Sequence, residues 1–232
     1  MRIKIFIFVA VSIIIFNNCK AQDHMNNQIT IILLDKESKE HSFVSIAFNT
    51  IFYWENHILY KKDIKTPFSG NIQVNYSNGS PNMELNYLNG KKDGKYLSYY
   101  PNGNLKEDVT FLNDEPIGIS KYYYEDGIIY ESIEYLTKTE EQETWKLIEY
   151  YSSGQKKEEG EKIKLGSNFV APKYKIGYWI YYYENGKKKE EGNWQIGGMH
   201  GNDNIRVGEW KQYDKSGKLV RTVQFDNDGN QT

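Results

Sequence analysis

The sequence predicts an all-β protein, an extended single-layer antiparallel meander of β-hairpin repeats. Three observations lead there. A glycine-centred segment recurs six times, aromatic and β-branched residues flank it at strand length, and no window sustains a 3.6-residue apolar period.

Residues 1–21, MRIKIFIFVAVSIIIFNNCKA, stand apart as an export signal. Arg2 and Lys4 form a positive start, and the apolar run Ile5 to Phe16 is too short to span a bilayer. The single cysteine, Cys19, follows directly, where bacterial lipoprotein signals place the acylated residue. Phe16 and Asn18 stand where such signals usually have Leu and a small residue, so cleavage after Ala21 is the competing expectation. Without Arg2 and Lys4 the formal charge moves from −2 to −4, and no Lys/Arg stripe appears, which argues against nucleic acid as a partner. A mean hydropathy of −0.72 with twenty Tyr and five Pro describes a polar but foldable chain.

Residues 22–57 contain the strand-like runs ITIILL and FVSIAF, which are expected to cap the first edge of an array covering 58–232. The copies are NYSNGSPNMEL (75–85), YYPNGNLKEDV (99–109), YYEDGIIYESI (123–133), YYSSGQKKEEG (150–160), YYENGKKKEEG (182–192) and QYDKSGKLVRTV (212–223). Their turn glycines are Gly79, Gly103, Gly127, Gly154, Gly186 and Gly217. Three residues earlier stands Tyr76, Tyr100, Tyr124, Tyr151 or Tyr183, with Asp214 in the last copy. Eight residues later stands Tyr87, Phe111, Tyr135, Trp194 or Phe225, with Lys162 in the fourth. Nine residues earlier a second glycine recurs as Gly70, Gly94, Gly118, Gly177 and Gly208, replaced once by Trp145. Each copy reads as strand, turn, strand, and Asn78-Gly79, Asn102-Gly103, Asp126-Gly127 and Asn185-Gly186 fit two-residue turns with both central residues at positive φ.

The pattern G-x-W/Y-x3-Y-x-x-N/D-G, seen from Gly94 to Gly103 and from Gly177 to Gly186, resembles the MORN repeat in its bacterial variant form. The resemblance covers roughly residues 58 to 230. It implies a sheet of successive hairpins, and chains similar to this one are often classed as antitoxins of toxin-antitoxin systems.

The links between hairpins lengthen along the chain, from LNGKKD (88–93) and LNDEPI (112–117) to segments 136–144, 162–176 and 195–207. All fall at one end of the strands, so that edge is a candidate partner surface, with Phe169, Tyr174, His200 and Arg206 as candidate contacts.

Chemistry is hard to find. His24, His41, His57 and His200 lack metal-ligand spacing, no G-x-S-x-G occurs, and no cofactor is implied. Asp226 to Gly229 reads as a final turn rather than a calcium loop. The recurring carboxylates, Glu158, Glu159, Glu190 and Glu191 among them, read as cross-strand partners of lysines. The tyrosine ladder reads as packing, or alternatively as a sugar- or peptide-stacking surface. The expectation is an exported, lipid-anchored, non-enzymatic scaffold in the cell envelope that binds a protein or peptide and touches membrane only through a lipid on Cys19. The alternatives are an antitoxin and a carbohydrate or cell-wall binder.

Overall fold

The computed structural model describes residues 28–32, 52–62, 64–76, 78–166, 172–197 and 203–232. The export signal with Cys19, most of the expected cap, and Phe169 and His200 lie outside the described residues. All regular structure among the described residues is strand, in two compact units that divide between Glu115 and Pro116.

The first unit contains β1 (Gln28–Ile32), β2 (Phe52–Glu55), β3 (Ile58–Lys61), β4 (Ile64–Pro67), β5 (Gly70–Asn75), β6 (Pro81–Leu88), β7 (Lys91–Tyr99) and β8 (Leu105–Leu112). Strands β5 to β8 lie antiparallel in chain order, and β1 runs parallel along β5. Strands β2 to β4 form a separate small sheet, whose first hairpin turns at Asn56-His57. Phe52, Leu59 and Phe68 bury against Ile72, Val74, Leu85 and Tyr87, each side chain contributing about 1.5–3 kcal/mol on leaving water. Backbone bonds seal the contact: Leu59 N–H donates to Gly90 O (2.9 Å) and Gly90 N–H to Phe68 O (2.7 Å).

The second unit is one run of antiparallel strands in chain order: β9 (Glu115–Tyr123), β10 (Ile129–Lys138), β11 (Gln142–Tyr150), β12 (Lys156–Leu165), β13 (Lys173–Tyr182), β14 (Lys188–Gly197), β15 (Asp203–Tyr213) and β16 (Leu219–Phe225). The chain is thus an all-β antiparallel meander of hairpins.

The turns differ from the sequence expectation. At Gly79, Gly103, Gly127, Gly154, Gly186 and Gly217 only the glycine takes positive φ, and its N–H bonds the carbonyl three residues back, as in Gly103 to Tyr100 (2.9 Å). This is a type I turn closed by a left-handed residue, a three-residue loop with a G1 bulge. The preceding Asn or Asp stays at negative φ because its side chain has other work: Asn102 Oδ1 accepts from the N–H of Asn104 (2.9 Å), and Asn185 Oδ1 from that of Lys187 (3.0 Å). Two-residue turns with both φ positive occur at the opposite strand ends, at Asn89-Gly90 and Asn113-Asp114.

The lengthened links are also mostly strand. Extra residues in 136–144 extend β10 to Lys138 and start β11 at Gln142; β12 continues to Leu165 and β14 to Gly197. Added residues that continue a ladder keep their backbone groups paired, whereas a loop leaves them to water.

The second recurring glycine marks a bulge. Glu159 and Glu161 of β12 oppose Ile180 and Ile176 of β13, with Gly177 (φ 65°) in the wider side. Glu191 and Asn193 of β14 oppose Lys211 and Val207 of β15 around Gly208 (φ 67°) in the same way.

Candidate functional site

Strand alternation sends Trp179 and Tyr181 to one face of the second unit and Tyr178 and Ile180 to the other. The motif KKEEG, at 156–160 and 188–192, feeds both faces, and its two glutamates and its glycine meet side chains of the next repeat.

On the indole face, Trp179 and Trp210 are fully buried. A Cβ built at Gly160 would fall well inside 3.0 Å of the Trp179 indole carbons, and one at Gly192 equally close to Trp210. The glycine ending each motif is therefore the space its neighbour's indole occupies. The indole N–H of Trp179 donates to the carbonyls of Glu161 and Ile176 (3.1 Å each). A cation covers each ring: Lys175 Nζ lies 4.1 Å from the Trp179 centroid, and the Arg206 guanidinium 4.1 Å from that of Trp210. The first glutamate of the motif holds that cation, Glu158 to Lys175 at 2.8 Å and Glu190 to Arg206 through two bonds of 2.7 and 3.1 Å.

On the opposite face the second glutamate accepts from a tyrosine of the next repeat: Glu159 from Tyr182, Glu191 from Tyr213 (2.5 Å). The motif's first lysine closes the set, Lys156 to Glu159 at 2.7 Å and Lys188 to Glu191 at 2.6 Å. Burial works against ionisation of both carboxyls, but the lysine and tyrosine bonds outweigh it and hold them below the usual carboxylate value. The bond to Glu191 pushes the Tyr213 hydroxyl up to about 12, and burial raises that of Tyr182.

The ladder tyrosines staple repeats together. Tyr76 donates to Tyr99 O (2.8 Å), Tyr151 to Tyr182 O (2.8 Å) and Tyr183 to Tyr213 O (2.9 Å), always the carbonyl four residues before the next turn glycine.

Of the sequence-derived contact residues, Tyr174 is 6% exposed and paired in register with Ile163, and Arg206 is held by Glu190 between Trp194 and Trp210. The six turn glycines sit at hairpin corners. Among the described residues no three His, Cys, Asp or Glu side chains come together as a metal site.

Sequence reasoning missed a groove on the face opposite the indoles. An open concavity of about 270 Å³ crosses β9 to β13, walled by Ile119, Ile148, Tyr178 and Ile180 and edged by Glu134, Lys146, Glu159 and Glu161. Its floor is backbone at Leu147 and Gly160, since the Leu147 side chain points to the indole face and Gly160 has none. Ile119 and Tyr178 are 53% and 50% exposed. The signal lay in Ile119, one place after Gly118, and in Tyr178 and Ile180, one and three places after Gly177, with Ile148 as the counterpart of Ile180 in β11.

Stacked hairpins joined glycine to indole, glutamate to cation and tyrosine to carbonyl define a β-repeat protein whose units bind their neighbours. The family model of the MORN repeat variant matches residues 92–113, 116–136, 175–195 and 206–227, so the stretch from 92 to 227 belongs to the MORN repeat variant family. The hairpins β5–β6 and β11–β12 lie outside those four matches yet carry the same turn and the same tyrosine staple. A search of curated proteins gives no match.

Proposed function

We propose that this chain is an exported, lipid-anchored, non-enzymatic repeat scaffold of the cell envelope that binds a protein or peptide partner. The observation behind the binding role is the unequal use of the two faces: the indole face is filled by the repeats' own cations, while the opposite face leaves large apolar side chains in water along one groove. Each glutamate of the motif is engaged by a cation, Lys156, Lys175, Lys188 or Arg206, which argues for a scaffold over an acid-base catalyst. The indoles of Trp179 and Trp210 are buried under Lys175 and Arg206, which removes them as sugar-stacking rings. Export and anchoring rest on the first 21 residues and Cys19.

The test has two arms in the native host. Cys19→Ser should move the protein from the membrane fraction to the soluble fraction. A photo-crosslinking amino acid placed at position 178 should yield a protein adduct that the same group at position 220 does not. Unchanged fractionation contradicts the anchor, and identical crosslinks from both positions contradict the binding face.

A further inference from the structure

The groove departs from the repeat that builds it. After the bulge glycine Gly208, the places filled in β13 by Tyr178 and Ile180 hold Glu209 and Lys211, which pair with each other at 3.0 Å. Stacking alone gives no reason for that change, because the bulge and the buried indole are the same in both repeats. The apolar groove is thus a local addition to a periodic scaffold, confined to β9–β13.

Its charges are equally uneven. Lys146 stands in register between Glu134 and Glu161 and pairs with Glu134 at 3.7 Å. Glu159 is held by Lys156 and Tyr182. Among the described residues no cation pairs with Glu161. An apolar wall beside an unmatched carboxylate is complementary to an apolar side chain with a cation next to it. The volume is below the roughly 300–1,000 Å³ typical of small-molecule sites, a size for one or two large side chains rather than a whole ligand.

Resting on the scaffold reading above, the geometry points to a docking site for a basic peptide segment, which lays one or two large apolar side chains over Ile148, Tyr178 and Ile180 and sets a lysine or arginine against Glu161. A membrane surface is a poorer fit, since three carboxylates edge the groove against one lysine.

Two fluorescein-labelled pools of nine-residue synthetic peptides test this by polarisation with the full chain. Both have Leu, Phe or Trp at two central positions; one pool is flanked by Lys and Arg, the other by Asp and Glu. The basic pool should bind at least tenfold more tightly. Tyr178→Ala with Ile180→Ser should weaken it at least tenfold while the melting temperature stays close to that of the parent, and Glu161→Lys should reverse the preference between pools. Should the double variant fail to fold, the Glu161→Lys reversal decides alone. Equal affinity for the pools, no binding of the basic pool, or a parent chain that sediments as a dimer dispersed by Tyr178→Ala would overturn the proposal. A crosslink from position 178 in cells without the pool preference leaves the scaffold reading standing and removes this one.

Discussion

At the residue scale the motif KKEEG is a connector between repeats. Its five positions supply a lysine for the second glutamate, a further lysine that in the first copy pairs with Glu149, a glutamate for each face and a gap for the neighbour's indole. The gap follows a size rule between adjacent repeats: Gly160 and Gly192 precede Trp179 and Trp210, while Ile133 precedes and pairs with Leu147. Gly160→Ala is expected to cost about 1–3 kcal/mol, because the added methyl must displace a packed ring. In urea unfolding most of that cost should vanish when Trp179→Leu is combined with it, and additive costs would mean that the two positions are independent. The glutamates give the fold a pH signature. Glu159 and Glu191 have folded values below 4.5, so the unfolded chain takes up more protons as the medium is acidified. Their stabilisation is present in full above that value and is lost as pH falls through their folded values. Tyr213 works at the other limit: unfolded it ionises near 10, folded near 12, so stability declines as pH rises between the two. Melting temperatures from pH 3 to 12 should therefore form a plateau with two falling limbs, and Glu191→Gln should flatten both.

At the scale of elements, the sequence announces hairpins and their boundaries but misplaces the turn chemistry. Asn-Gly has two uses, a two-residue turn with both φ positive and a three-residue turn whose Asn side chain caps the backbone; the dipeptide alone does not separate them. The wider loop is closed by the backbone N–H and carbonyl of the residue three before the glycine, Tyr100 with Asn104 and Gly103 or Asp214 with Lys218 and Gly217, groups that every residue carries. Gly103→Ala should cost about 1–2 kcal/mol through the left-handed backbone. Asn102→Ala should cost about 0.5–1.5 kcal/mol through the exposed hydrogen bond from Asn104. Denaturant midpoints of the two variants check the order, and a larger loss at Asn102 would favour the two-residue turn. The lengthened links were legible as insertions but not as strand extensions, since Leu136 to Lys138 and Ile196-Gly197 join the ladder only through partners across the sheet.

At the scale of the whole molecule, the repeat and its antiparallel meander were readable from glycine and tyrosine spacing, whereas the groove was not. A groove belongs to no single repeat: Ile119, Ile148 and Ile180 come from three hairpins, and which of their neighbours share a face depends on two-residue shifts at the bulges. Spacing along the chain does not encode that register. The proposed function assigns the two faces of the sheet different roles, scaffold and recognition, and adjacent residues of β13 test the separation most directly. Trp179→Ala should lower unfolding free energy by about 3–5 kcal/mol, as expected for a fully buried indole. Tyr178→Ala, one residue earlier on the other face and half exposed, should change it by no more than about 1 kcal/mol. Urea unfolding of the two variants beside the parent chain supplies both numbers; equal losses, or a larger loss at Tyr178, would contradict the division of the sheet into a scaffold side and a binding side.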